Sequence, residues 1–309
     1  LQAIFEFQTM ICRLTAMPVA NASMYDGATA TAEAVLMAER LSSTDRQNVL
    51  LASSLHPEYQ QVTRTFLKGH AKFPIQIPWA PDGTVDLIQL TELLKLHQPC
   101  AVVIPSPNYF GIIEPLDRIR MVLPKECLLI VTMADPSMLS IFEAPGRLGA
   151  DIVVGEAHQF GTPMLFGGPH VGFFAAKKEY MRQLPGRLAG ESVDSNGRTA
   201  YALTLSTREQ HIRREKATSN ICSNQGLIAL RATMYLSFLG KHGFHQLGEY
   251  NYSLFDYLAG EFKAVGIPLK FNQGIHYREG VFEIPNLEKR FAKAVRKNII
   301  PGIRIARKM

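Results

Sequence analysis

Gly149-Ala150-Asp151-Ile152-Val153-Val154-Gly155-Glu156-Ala157-His158-Gln159-Phe160-Gly161, followed after a short spacer by Phe166-Gly167-Gly168-Pro169-His170-Val171-Gly172, is the stretch that decides the fold. Asp151–Val154 is apolar without polar alternation and too short for a helix, which reads as a strand buried on both faces. It ends in small and polar residues, and a glycine-rich passage leads to a second strand at Val171–Ala175. A strand covered on both faces needs layers above and below it, so the surrounding chain must supply helices.

Upstream, it does. Ile4, Phe7, Ile11 and Leu14 fall at helical spacing, and a second helix is expected from Ala28 to Leu41. Short apolar strands at Asn48–Ser53, Ala101–Ile104 and Cys127–Thr132 alternate with helices begun by His56-Pro57-Glu58, at Leu87–His97 and at Pro115–Val122, with Pro74–Pro78 extended. Asp135-Pro136 makes a turn, followed by a helix ending near Pro145-Gly146. The alternation predicts an α/β domain with a mostly parallel sheet. Downstream, Asn196-Gly197 joins Glu191–Ser195 to Arg198–Leu205 as a hairpin. A helix from Ile221 to Leu239 is closed by Gly240. Short strands at Pro268–Phe271 and Gly280–Glu283 and a helix at Leu287–Lys297 suggest a second unit. The reading is a large domain over 1–262 and a small α/β domain over 263–309, which breaks off where another strand and helix are expected.

Composition narrows the function classes. Of 309 residues, 47% are hydrophobic and 19% charged, as in globular proteins. No apolar run approaches the about 20 residues that span a bilayer, and no secretory leader is read, so no membrane partner is expected. Cys12, Cys100, Cys127 and Cys222 form no CxxC pair, which suits reduced thiols in the cytoplasm and offers no zinc knuckle. The net charge of +6 is dispersed apart from Arg208–Lys216 and Arg304–Lys308, and neither cluster is interleaved with aromatics, so nucleic acid is not the expected partner. An acidic protein surface suits it better. His242 and His245 lack carboxylates at ligand spacing, and no metal is expected.

Ligands of open α/β sheets bind at the carboxyl ends of strands. Four segments compete for that place. Asn21-Ala22-Ser23-Met24-Tyr25-Asp26-Gly27 runs into a helix, whose free N–H groups form an anion cradle suited to a phosphate, although a plain N-cap is the commoner use. Ser106-Pro107-Asn108-Tyr109-Phe110-Gly111 follows a strand directly, as does Asp135; the fourth is the His158-Gln159 segment.

This order, an Asp at one strand end and a strand–His–glycine-rich segment 24 residues further on, resembles the fold type I, aspartate-aminotransferase-like enzymes of pyridoxal 5′-phosphate (PLP). In those, the Asp pairs with the pyridine nitrogen and a lysine forms the Schiff base. Phe7-Gln8-Thr9-Met10, Asn21–Ala28, Ala150–Gly155, Gly167-Gly168-Pro169 and the long run Thr207-Arg208-Glu209-Gln210-His211-Ile212-Arg213-Arg214-Glu215-Lys216-Ala217-Thr218-Ser219-Asn220-Ile221-Cys222 narrow the resemblance to the glycine cleavage P-protein, in its two-subunit form to subunit 1.

In the lysine-bearing subunit 2, His is followed by Lys; here His158 is followed by Gln159. An amide nitrogen, its lone pair delocalised into the carbonyl, cannot condense with an aldehyde. The resemblance therefore implies no catalytic residue in this chain, PLP held covalently by the partner subunit in an α2β2 assembly, and decarboxylation of glycine with transfer of the aminomethyl group to the lipoyl arm of H-protein. It places a vestigial or interface cleft at Ser23, Tyr25, Asn108, Asp135, His158 and Lys216. Plainer readings stand beside it: Asp135 as a helix cap, His158 as a structural histidine, Lys216 as a solvated basic helix end, and Gly167-Gly168 as a simple turn. Two rival functions are a stand-alone PLP decarboxylase or transaminase using another lysine, and a purely structural subunit.

Overall fold

The computed structural model describes residues 1–42, 46, 48–68, 74–164 and 166–305. Its centre is a seven-stranded sheet. In chain order the strands are β1 (Val19–Ala20), β2 (Val49–Ala52), β3 (Ile75–Ile77), β4 (Ala101–Pro105), β5 (Leu128–Met133), β6 (Ile152–Glu156) and β7 (Gly172–Ala176). Across the sheet they run β1-β7-β6-β5-β4-β2-β3. Every pair from β3 through β6 is parallel, whereas β7 runs antiparallel to both β6 and β1.

The strands lack polar alternation because both faces are covered. Leu50, Val102, Leu129, Val131 and Val153 point into one apolar layer, against α1 (Gln2–Thr15), α4 (Leu87–His97), α5 (Leu116–Val122) and the first part of α7 (Gly226–Ala264). Their neighbours Leu51, Ala101, Val103, Ile130 and Val154 enter a second layer with α2 (Gly27–Leu41). Helix α2 can lie close to the sheet because its buried face is built of Ala30, Ala34 and Ala38. Helix α3 (Pro57–Phe66) packs along α2, and His56 accepts the Glu58 N–H at its start.

A hairpin, β8 (Leu188–Val193) with β9 (Thr199–Thr204), stands apart from the main sheet. It is tied to α1 by the buried Gln8 amide, which donates to Ala189 O at 3.0 Å and accepts Ala189 N–H at 2.9 Å. The segment Thr207–Cys222 holds a helical turn, α6 (Gln210–Arg213), and a 3₁₀ turn. The chain then forms α7 and α8 (Leu287–Arg296).

Four expectations are corrected. The helix after Asp135 is only a 3₁₀ turn, Pro136–Ser140, followed by turns through Gly149. Gly240 does not end the long helix: it adopts a left-handed φ of 60° and kinks it, and helix resumes to Ala264, with Phe244 edge-on to Phe160 and Gly248 close against Ser140 of the 3₁₀ turn. That helix begins at Gly226 rather than Ile221, since Ile221–Gln225 is held extended against the β1–α2 loop. The two short strands expected near 268–283 reduce to a single bridge, Leu269 with Phe282. Of the basic run Arg304–Lys308, residues 306–308 lie outside the described residues. Among the described residues no helix is long and apolar enough to cross a membrane.

Helix α2 comes close to the sheet at Gly27. A Cβ there would stand 2.3 Å from the Tyr59 hydroxyl and 2.9 Å from the backbone N of Glu156. Overpacking of this kind costs about 1–3 kcal/mol. Gly27→Ala is therefore expected to lower unfolding free energy in urea by about that amount, with the denaturant slope unchanged; an unaffected midpoint would contradict the packing.

Candidate functional site

The carboxyl ends of β4, β5 and β6 open on the same side as the start of α2. At the start of α2, Asp26 caps the helix by accepting Thr29 N–H at 2.7 Å. The Gly27 N–H, one of the free donors of the anion cradle, is taken by Glu156 Oε2 at 3.1 Å. Glu156 is the last residue of β6 and is buried. Its Oε1 also accepts the backbone N–H groups of His158 at 3.1 Å and Val171 at 3.2 Å. Two imidazoles flank the same carboxylate: His158 Nδ1 lies 3.2 Å from Oε1 and His170 Nδ1 3.4 Å from Oε2. Burial pushes the Glu156 carboxyl upward, but the His158 imidazole, the Gly27 N–H and the nearby His170 outweigh it. The group is held below the ordinary carboxylate range.

Gln159 sits beyond β6, and its Nε2 donates to Ala134 O at 2.6 Å. Asp135 is buried at the end of β5. Its Oδ1 accepts Ser137 N–H at 3.1 Å and Ser137 O–H at 2.6 Å, so it caps the 3₁₀ turn, and its Oδ2 pairs with the Arg278 guanidinium.

Ser23 and Tyr25 act on the segment before α7. The Ser23 hydroxyl accepts Gln225 N–H at 3.0 Å, and the Tyr25 hydroxyl accepts Cys222 N–H at 3.1 Å. Asn108 is buried and satisfied within its own surroundings: Nδ2 donates to Gly83 O and Glu114 Oε1, and Oδ1 accepts Phe110 and Ile112 N–H. Lys216 is exposed beside Arg213 and Arg214, which are exposed as well. The structure thus brings Asp135, Gln159, His158 and the α2 start to one end of the sheet, places Ser23 and Tyr25 at its rim, and sets Asn108 inside a polar cluster of its own.

Four residues escaped the sequence reading. Glu156 and His170 flank His158, Arg278 answers Asp135, and Glu114 anchors Asn108. The Glu156-Ala157-His158 spacing was a visible signal for the first two; Arg278 is 143 positions from Asp135 in sequence and gave none.

These donors do not fit PLP bound as a Schiff base. The chain offers an amide where the imine lysine is needed, the cradle N–H is taken by an internal carboxylate, and the Asp135 carboxylate is already paired.

The strand order, with β7 reversed between β6 and β1, and the strand-end site define a fold type I PLP-enzyme architecture. A Pseudomonas fluorescens L-threonine transaldolase shares the fold at 17% identity and a TM-score of 0.67, over 96% of this chain and 60% of that one. The family is settled by stronger likeness: the model for "Glycine cleavage system P-protein" matches residues 1–300. This chain belongs to that family. A "Probable glycine dehydrogenase (decarboxylating) subunit 1" of Anaeromyxobacter dehalogenans is 45% identical over 99% of this chain and 68% of its own length. The Aquifex aeolicus relative of the same name is 44% identical, over 99% and 70%. A crystal structure of glycine decarboxylase (P-protein) of the glycine cleavage system, in inhibitor-bound form, superposes with a TM-score of 0.88 at 39% identity, covering 96% of this chain and 66% of that one. The chain thus spans about two thirds of the length of the relatives it matches.

The Asn108 cluster yields a pH test. Burial raises the Glu114 carboxyl to about 7, against the lowering effect of hydrogen bonds from Val85 N–H, Asn108 and Ser54. The folded chain therefore holds this proton more tightly than the unfolded chain, whose value is near 4.5. Stability from this group is full below the unfolded value and is lost as pH rises toward about 7. The Tm of the unsubstituted chain should fall relative to Glu114→Gln across that window and run parallel above it; parallel curves throughout would refute the raised carboxyl.

Proposed function

We propose that this chain is the lysine-lacking subunit of a glycine-decarboxylating P-protein, paired as α2β2 with a lysine-bearing subunit 2 that holds PLP covalently. The assembly decarboxylates glycine and transfers the aminomethyl group to the lipoyl arm of H-protein. In this reading the crevice residues Ser23, Tyr25, His158 and Lys216 build walls and charge for the shared assembly, Asn108 and Asp135 hold those walls from within, and none forms a bond to substrate. A dry, fixed pocket is what such chemistry requires of its surroundings. The division into a large domain over 1–262 and a small one over 263–309, and a cytoplasmic location, belong to the same proposal.

The observation that carries it is Gln159: a side chain incapable of an imine, hydrogen-bonded to Ala134 O at the strand ends of a fold type I sheet. A partner is supported by apolar surface that nothing covers. Leu227, Leu230, Met234 and Phe238 form one exposed stripe along the first half of α7, and Met164 and Phe166 project fully from the β6–β7 connection. The exposed cations Arg213, Arg214 and Lys216 suit an acidic protein surface.

Borohydride reduction in the presence of PLP should leave no pyridoxyl group on the isolated chain. After co-expression with the lysine-bearing subunit, the label should appear on that partner, together with exchange of the glycine carboxyl with labelled bicarbonate. Labelling of a lysine in the isolated chain would favour a stand-alone PLP enzyme and overturn the assignment.

Phe238, 90% exposed, tests the interface directly. Phe238→Asp should change the stability of the isolated chain by no more than about 0.5 kcal/mol. Co-purification with the partner should drop at least tenfold, the scale of losing one buried aromatic anchor worth about 2 kcal/mol or more.

A further inference from the structure

Glu156, His158 and His170 are the one group of three potential metal-ligating side chains that converge among the described residues, with ligand atoms all within 4.8 Å of one another. The geometry points to a divalent metal site of the zinc class, held by Glu156 Oε2, His158 Nδ1 and His170 Nδ1 with a fourth position open. The assignment does not depend on which subunit of an assembly this chain is.

Zinc bonds of about 2.0 Å in a tetrahedron set neighbouring ligand atoms about 3.3 Å apart. His170 Nδ1 meets Oε2 at about that spacing, 3.4 Å, while His158 Nδ1 lies 3.2 Å from Oε1 of the same carboxylate. The three groups offer ligand atoms within 4.8 Å of one another, a spread that a small side-chain adjustment closes around an ion. Both Nδ1 atoms are screened from solvent, and neither makes a hydrogen bond, close as the carboxylate is. Two nitrogens converging on one anion without an N–H directed along its lone pairs is the arrangement of ligands around a common centre.

The carboxylate has the capacity for it. Oε1 is committed to two backbone N–H groups, from His158 and Val171, while Oε2 receives only the Gly27 N–H and keeps a lone pair. Those three backbone donors fix the carboxylate plane, the outer-shell support that metal-ligating groups need. The rings are partly exposed on their outer side, which leaves an entry path and room for water. Two imidazoles and one carboxylate suit zinc, cobalt or nickel rather than calcium or magnesium, which prefer all-oxygen sets. His158 and His170 stand at either end of the connection that carries Met164 and Phe166, so an ion would clamp the base of that projecting segment.

The test uses the untagged full chain, stripped with chelator and titrated with Zn²⁺ by calorimetry, with Co²⁺ as the spectroscopic probe. One ion per chain is expected, and Co²⁺ should show the intense visible bands of a four-coordinate ion. His158→Ala and His170→Ala should each weaken binding at least tenfold, because even outer-shell losses cost 10–100-fold. His245→Ala, which removes a different surface His–Glu pair, should leave binding unchanged. Affinity unchanged in both ligand variants, or lost with His245 instead, overturns the site. Should a ligand variant fail to fold, the Co²⁺ spectrum of the unsubstituted chain decides: weak, six-coordinate bands refute it.

Discussion

The Glu156 carboxylate joins three parts of the chain that the sequence keeps far apart. It receives the Gly27 N–H at the start of α2, the His158 N–H beyond β6 and the Val171 N–H entering β7. Because it is buried, it can stay ionised only if donors replace water; three backbone amides do so, and two imidazoles lie beside it. Gly27 and Gly155 make the approach possible. A Cβ at Gly155 would fall 2.2 Å from Met133 O, and one at Gly27 would meet Tyr59 and the β6 backbone. The position of α2 over the sheet, the spacing of β5 and β6 and the path of the chain into β7 all depend on this one knot.

Much of the fold was legible because local and global signals agree. Leu87–His97 is helical to the residue, and the central strands fall within one or two residues of their apolar runs. Buried strands announce themselves by unbroken apolarity, and Asp26, His56 and Asp86 mark helix starts through side chains that accept backbone N–H groups. Failure came where tertiary packing overrode local sequence. Gly240 is a sound stop signal and does take a left-handed conformation, yet the chain recovers its helix. Gly248 lies so close to Ser140 that a Cβ would be 1.9 Å from its hydroxyl, and this contact holds the second half in place. The site was legible only in outline. Strand-end logic found Asp135 and His158; the nearby Glu156 was in view but unread, and Arg278, distant in sequence, gave no signal.

The crevice is closed by substitution rather than by collapse. Three groups at this end of the sheet are satisfied from within the chain. Gln159 spends its amide on Ala134 O, Arg278 provides the positive charge beside Asp135, and Glu156 provides the negative charge at the α2 start. Such exchange preserves the electrostatics of the frame: the helix start still faces an anion and the Asp still faces a cation. At these points the buried carboxylates Asp135 and Glu156 each have a charge or donors beside them.

Two buried glutamates show how closely donors control that balance. Glu114 has three hydrogen-bond donors, one of them the distant Ser54 hydroxyl at 3.5 Å, and lies near the like charge of Asp82; burial wins and its carboxyl rises to about 7. Glu156 is buried as well, but the His158 imidazole, the Gly27 N–H and the nearby His170 reverse the outcome and its carboxyl is lowered. The residue type and the burial are shared; the number and charge of donors differ. Glu114 therefore serves as a strut beneath the β4 loop, and its charge changes near pH 7. Glu156, kept anionic at the head of the crevice, is the side chain able to meet a helix dipole, two imidazoles or an ion.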